Sequence, residues 1–128
     1  MGGSKVIVST DKAPAAIGPY SQAVQTNGFV FCSGQIALKP GGDSLIGETA
    51  ADQVEQVMAN LKAVLEAAGS GLDKVVKTTI YLVDLNDFSA VNEAYGQYFP
   101  SQPPARATVE VSRLPRGARV EIDAIAAI

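Results

Sequence analysis

Apolar and polar residues recur along this chain with two different periods, and the periods divide it into strands and helices. Val6-Ile7-Val8 is a short strand, and the stretch from Tyr20 to Val24 is extended. Asn27-Gly28 supplies the positive φ angles of a tight hairpin, from which Phe29 to Ser33 returns as an apolar strand. Thr49 stands before Asp52 at capping-box spacing, and Val54, Val57, Met58, Leu61, Val64, Leu65 and Ala68 then recur at helical spacing until Gly69. Val75 to Val83 is rich in β-branched residues and predicts a strand packed on that helix. Phe88, Val91, Asn92, Tyr95 and Phe99 predict a second, shorter helix, closed by Pro100 and followed by the stiff segment Gln102-Pro103-Pro104. Two strands of half-buried character finish the chain: Ala107, Val109 and Val111 alternate with polar neighbours, and Val120, Ile122, Ala124 and Ala126 alternate with Glu121 and Asp123. Between these elements, Ala13 to Pro19 and Lys39 to Asp43 are turns fixed by proline and glycine. The order of elements predicts an α+β fold with a mixed β-sheet and both helices on one of its faces.

The 128 residues fit a single domain spanning 1–128. Apolar residues make up 47% of the chain and charged residues 18%, against a usual charged share of about 25%. One domain of this length cannot bury that much apolar area alone, so a symmetric homo-oligomer is expected. A net charge of −3 with no basic run offers nothing to a nucleic-acid backbone, and no nucleic-acid partner is expected. The single cysteine, Cys32, has no internal disulfide partner and sits in the apolar run Phe29-Val30-Phe31-Cys32, which predicts a buried thiol in a reducing compartment, the cytoplasm or an organelle matrix. No apolar stretch is long enough to span a bilayer, and the start Met1-Gly2-Gly3-Ser4-Lys5 has neither a signal-peptide core nor a serine or threonine at position six.

Without histidine the chain has no Ser-His-Asp or Cys-His site, and a zinc site would have to combine one cysteine with carboxylates. Its glycines form no phosphate-binding fingerprint, so no metal or organic cofactor is expected. Acid/base work by carboxylates or tyrosine around a substrate held by arginine is left. Arg106 follows the rigid Pro103-Pro104-Ala105; it is either a solvated residue at a strand start or a planar fork for a small carboxylate. Glu121 lies between Val120 and Ile122, where its carboxylate is either half of a cross-strand ion pair or a functional acid. Tyr20 follows Gly18-Pro19 and either aims its hydroxyl into a cleft or packs with it satisfied; Asn92 is an ordinary helix-face amide or part of a pocket.

Taken in order, Ala13-Pro14-Ala15-Ala16-Ile17-Gly18-Pro19-Tyr20-Ser21-Gln22, Ser33-Gly34-Gln35, Val76-Lys77-Thr78-Thr79, Asp84-Leu85-Asn86-Asp87-Phe88, Pro104-Ala105-Arg106 and Val120-Glu121-Ile122 resemble the RidA (YjgF) family of reactive-intermediate deaminases across nearly the whole chain. The resemblance implies a chorismate-mutase-like fold assembled as a homotrimer, with helices outside and three clefts between subunits. It implies hydrolysis of 2-imino acids such as 2-iminopropanoate and 2-iminobutanoate to 2-keto acids and ammonia, which protects pyridoxal-phosphate enzymes from imine and enamine damage. Arg106 would bind the substrate carboxylate, Tyr20, Ser33, Gly34 and Asn92 would line the pocket, and Glu121 would position the attacking water. Thr108 stands where many members carry cysteine; the family role there falls on the backbone carbonyl. The competing expectation is a small-carboxylate receptor or a regulatory protein-interaction module of the same fold, for which a second acid at the cleft has no use.

Overall fold

The computed structural model describes residues 4–128; Met1, Gly2 and Gly3, read above as carrying no targeting signal, lie outside the described residues. A six-stranded mixed sheet runs in the order β1-β2-β3-β6-β4-β5, with β1 Val6–Val8, β2 Ala23–Thr26, β3 Phe29–Gln35, β4 Val75–Leu82, β5 Ala105–Glu110 and β6 Val120–Ala127. Only β4 and β5 pair in parallel, as expected where a helix crosses over between them. The hairpin predicted at Asn27-Gly28 joins β2 to β3, with φ of 50° and 82° at the two positions. The extended stretch foreseen from Tyr20 enters the sheet only at Ala23, because Tyr20 and Ser21 belong to the loop that leads into it.

Helix α1, Ala50–Ala67, begins where the sequence sets it: the Thr49 hydroxyl accepts the Asp52 amide at 3.1 Å. Its apolar stripe, Val54, Val57, Met58, Leu61, Val64 and Leu65, is buried against β3 and β6. Helix α2, Phe88–Gly96, is shorter than its apolar spacing suggests and lies beside α1 on the same sheet face. Phe99 packs on Tyr95 from beyond its end, with ring centroids 5.0 Å apart. Strand β6 alternates as foreseen, with Val120, Ile122, Ala124 and Ala126 buried under the helices.

Strand β5 departs from expectation. Its inward residues are Arg106 and Thr108, whereas Ala107 and Val109 are exposed on the face that carries no helix. The apolar set of this edge strand follows the opposite face because that face is itself apolar, with Phe29, Phe31, Val76 and Val109 all exposed. None of the helices among the described residues is long and apolar enough to cross a membrane.

Candidate functional site

The bulge between Cys32 and Gln35 in β3 breaks the alternation where β3 meets β6, and it sets Gly34 beside Glu121. A methyl group at Gly34 would run into the Glu121 carboxylate, so glycine is required for the acid to lie there. Across the sheet Glu121 faces Tyr81 of β4 and not a cation, which answers the ion-pair expectation. Burial, and secondarily the neighbouring Asp123, hold its pKa above the usual 4.5. Asp123 in turn accepts the Tyr81 hydroxyl at 3.0 Å.

Glu121 and Gly34 open into a cavity of about 370 Å³, whose other walls include Ala15, Tyr20 and Arg116. Its loop wall is pinned by the buried amide of Gln22. That side chain accepts the Thr10 amide at 2.7 Å and donates to the carbonyls of Thr10 at 3.0 Å, Ala13 at 3.3 Å and Pro14 at 2.7 Å. Ser33 donates its hydroxyl to the Ser21 carbonyl at 2.6 Å and its amide to the Gln22 carbonyl at 2.9 Å, which ties the segment that carries Tyr20 to β3. Tyr20 is 54% exposed, so it stands at the mouth of the cavity and not in the core; its hydroxyl oxygen accepts the Ile17 amide at 3.3 Å. The far wall is braced from α1, where the buried Asn60 amide donates to the carbonyls of Ile36 and Leu38 at 3.1 and 2.8 Å.

The second group of residues singled out from the sequence lies on the other face of the sheet. Arg106 pairs in register with Thr78, whose hydroxyl meets the Tyr95 hydroxyl of α2 at 2.7 Å. Its guanidinium lies 5.2 Å from the Tyr95 ring centre and 5.7 Å from that of Phe88. Aromatic faces, and not a carboxylate, are its neighbours, an arrangement that holds the planar cation in one orientation and leaves its N–H edge available. Asn92 is exposed on α2 one turn beyond Phe88, and Thr108 follows Arg106 on the same face of β5 with its hydroxyl oxygen buried and unpartnered. Within one chain, therefore, Tyr20, Gly34 and Glu121 share a cavity, Ser33 supports it, and Arg106 and Thr108 stand on the opposite face of the sheet, beneath the helix that carries the exposed Asn92.

Gln22, Asn60, Tyr81, Asp123 and Arg116 also belong to the site or its support, and the sequence pattern does not single them out. A fully polar side chain in an apolar run was the available signal for Asn60, and the left-handed turn potential of Pro115-Arg116-Gly117 for Arg116. Cys32 is buried as expected, and burial with the Asp123 charge pushes its thiol pKa up to about 12, so it remains an inert thiol at neutral pH. Among the described residues no group of three or more histidine, cysteine, aspartate or glutamate side chains is placed to hold a metal ion.

Comparison with known proteins decides the relationship that the motifs suggested: residues 10–128 match the Endoribonuclease L-PSP family. The chain belongs to this family. The 2-iminobutanoate/2-iminopropanoate deaminase of Mus musculus is 51% identical over 120 residues, covering 94% of this chain and 89% of the mouse protein. The chloroplastic Reactive Intermediate Deaminase A of Arabidopsis thaliana is 50% identical over 124 residues, 97% of this chain and 66% of that longer protein. A crystal structure of E. coli TdcF with bound serine superposes with a TM-score of 0.90 at 40% identity, covering 96% of this chain and 98% of that one. The α+β fold, with two helices on one face of a mixed sheet, is thus the family's fold.

Proposed function

We propose that this chain is an imine deaminase that hydrolyses 2-imino acids of the 2-iminopropanoate and 2-iminobutanoate kind to 2-keto acids and ammonia. The observation that carries the reading is Glu121: a half-buried carboxylate with raised proton affinity, laid against a glycine in an open cavity, with Tyr81 and not a cation opposite it in the sheet. A structural acid would be paired or solvated, whereas a general base needs this setting. The names of the mouse and Arabidopsis relatives point to the same chemistry.

Glu121 takes a proton from water as the oxygen adds to C2 of the imine, and the C=N bond becomes a C–N single bond. The same carboxyl returns that proton to nitrogen, which gives the carbinolamine; the carboxylate then accepts the carbinolamine hydroxyl proton and passes it to nitrogen as the C–N bond breaks, so that the keto group forms and ammonia leaves. Tyr20 donates a hydrogen bond near the reacting centre. Arg106 grips the substrate carboxylate through its fork, with Asn92 and Thr108 beside it. Since Arg106 and Glu121 lie on opposite faces of the sheet, the site is completed between copies of the chain, and a homotrimer with three shared clefts meets that need. The exposed apolar face, from Phe29 and Phe31 to Val109, supplies the surface for such an assembly. No step calls on a metal or organic cofactor. The buried thiol fits a reducing compartment, the cytoplasm or an organelle matrix.

The test is a coupled assay in which a serine or threonine dehydratase generates the imine and its loss is followed by semicarbazone trapping. Less trapped imine and faster ammonia release with this protein are expected. An unchanged time course would favour the carboxylate-receptor reading instead.

A further inference from the structure

The cavity that holds Glu121 contains a cation of its own, and it is not Arg106. Arg116 lines the wall with Glu121, Gly34 and Tyr20. It occupies the left-handed region, φ 59° and ψ 19°, a conformation disfavoured for a side chain of this size. The turn Pro115–Gly117 holds it there, with the Gly117 amide donating to the Leu114 carbonyl at 3.3 Å and the Ala118 amide to the Pro115 carbonyl at 3.1 Å. One guanidinium nitrogen is tied down as well, donating to the Asp43 carbonyl at 2.9 Å. That bond uses a fraction of the five N–H donors of an arginine and fixes the direction of the rest. A loop residue that spends backbone strain and a long-range hydrogen bond to place a cation at a cavity rim is built to meet an anion.

The anion is not the Glu121 carboxylate: the guanidinium gives its hydrogen bond to the Asp43 carbonyl and none to Glu121. Nor is it required for the carboxylate next to the imine, for which Arg106 is available.

We propose that Arg116 is a specificity residue: it receives a carboxylate at the end of the substrate side chain, so that the site favours 2-imino dicarboxylic acids over neutral imino acids of equal length. This rests on the deaminase reading above. The imines of glutamate and of methionine, generated by amino-acid oxidases, match in chain length and differ in terminal charge. The measured quantity is the ratio of their kcat/KM values, which cancels any loss common to both. Arg116→Asn, a residue that tolerates the left-handed backbone, should lower the acidic-to-neutral ratio about tenfold, the scale of one charge-assisted hydrogen bond. Arg116→Gly, which removes the strain, should do the same, and Arg116→Lys should keep most of the preference. An unchanged ratio in the Asn and Gly variants, or an equal fall for both substrates, overturns the assignment. If wild-type protein hydrolyses neither of these imines nor 2-iminopropanoate, the deaminase reading fails. The Arg116 assignment is then decided by calorimetric binding of 2-oxoglutarate against 4-methylthio-2-oxobutanoate, where a Kd ratio insensitive to Arg116→Asn would overturn it.

Discussion

At the scale of single residues, Glu121 is placed at a cost to the fold that the proposed general-base role explains. Burial raises its pKa above 4.5 in the folded chain, so ionising it opposes folding: this penalty is absent below the unfolded value and grows as pH rises from about 4.5 through the raised folded value. Glu121→Gln should therefore raise the melting temperature at pH 7, with the difference vanishing below about pH 4.5, while kcat falls roughly a hundredfold or more. Loss of activity without that gain in stability, read by thermal scans at the two pH values, would mean that Glu121 is not a desolvated base. Asp123 raises the same group, so Asp123→Asn should move the acidic limb of the kcat/KM profile to lower pH, where a merely structural role would lower the plateau alone. The role proposed for Arg106 is different. Lysine keeps its charge but cannot lie as a plane between Phe88 and Tyr95, and Arg106→Lys should lower kcat/KM by about tenfold to a thousandfold, with binding of the keto-acid product weakened as well. Both residues were legible in the sequence, one as a carboxylate in a strand of buried neighbours and the other as an arginine behind two prolines. Arg116 and Gln22 were not, because a left-handed backbone at a non-glycine residue and an amide bonded to a loop twelve residues earlier leave no trace in periodicity.

The elements divide into those that make the fold and those that shape the site. Thr49 belongs to the first kind: its hydroxyl caps α1 through the Asp52 amide, and Thr49→Ala should cost about 1 kcal/mol in denaturant unfolding with KM unchanged. Gln22 belongs to the second. Its amide holds Thr10, Ala13 and Pro14, and Gln22→Leu strands these backbone groups at a cost of about 1–3 kcal/mol for each that stays buried. The wall formed by Pro14 and Ala15 should loosen and KM rise; equal KM values in the two variants would show that the loop does not contact substrate. Helix α1 and strands β3, β4 and β6 were readable because each buries a whole face, which imposes the period of 3.6 or 2 on the sequence. Strand β5 was readable as a strand but not in its orientation. An edge strand with an arginine on its inner side and small apolar residues on its outer side inverts the rule that apolar means inward, and only pairing with β4 reveals which parity faces the helices.

At the scale of the whole molecule, the decisive fact is that the two groups the proposed chemistry needs stand on opposite sides of one sheet. Glu121 opens with Gly34 into the cavity behind Tyr20, whereas Arg106 lies under the rings of α2. A chain that acted alone would hold the base without the Arg106 fork. The exposed apolar residues of the helix-free face and the shortage of charged side chains, 18% of the chain, point to self-association. The consequence can be tested by complementation, since a site built between subunits takes Arg106 from one copy and Glu121 from the next. Two variants, Arg106→Ala and Glu121→Gln, should each be almost inactive as pure assemblies. Unfolded together in equal amounts and refolded, they should form mixed assemblies in which a site is intact when the first contributor retains Arg106 and its neighbour retains Glu121. Random mixing makes that the case for about one site in four, so about a quarter of wild-type activity per site should return. Mixing without co-refolding should restore nothing until subunits exchange. If co-refolded protein of confirmed mixed composition stays inactive, Arg106 and Glu121 do not meet across a subunit boundary, and the shared-cleft reading falls together with the assignment of Arg106 as the carboxylate anchor.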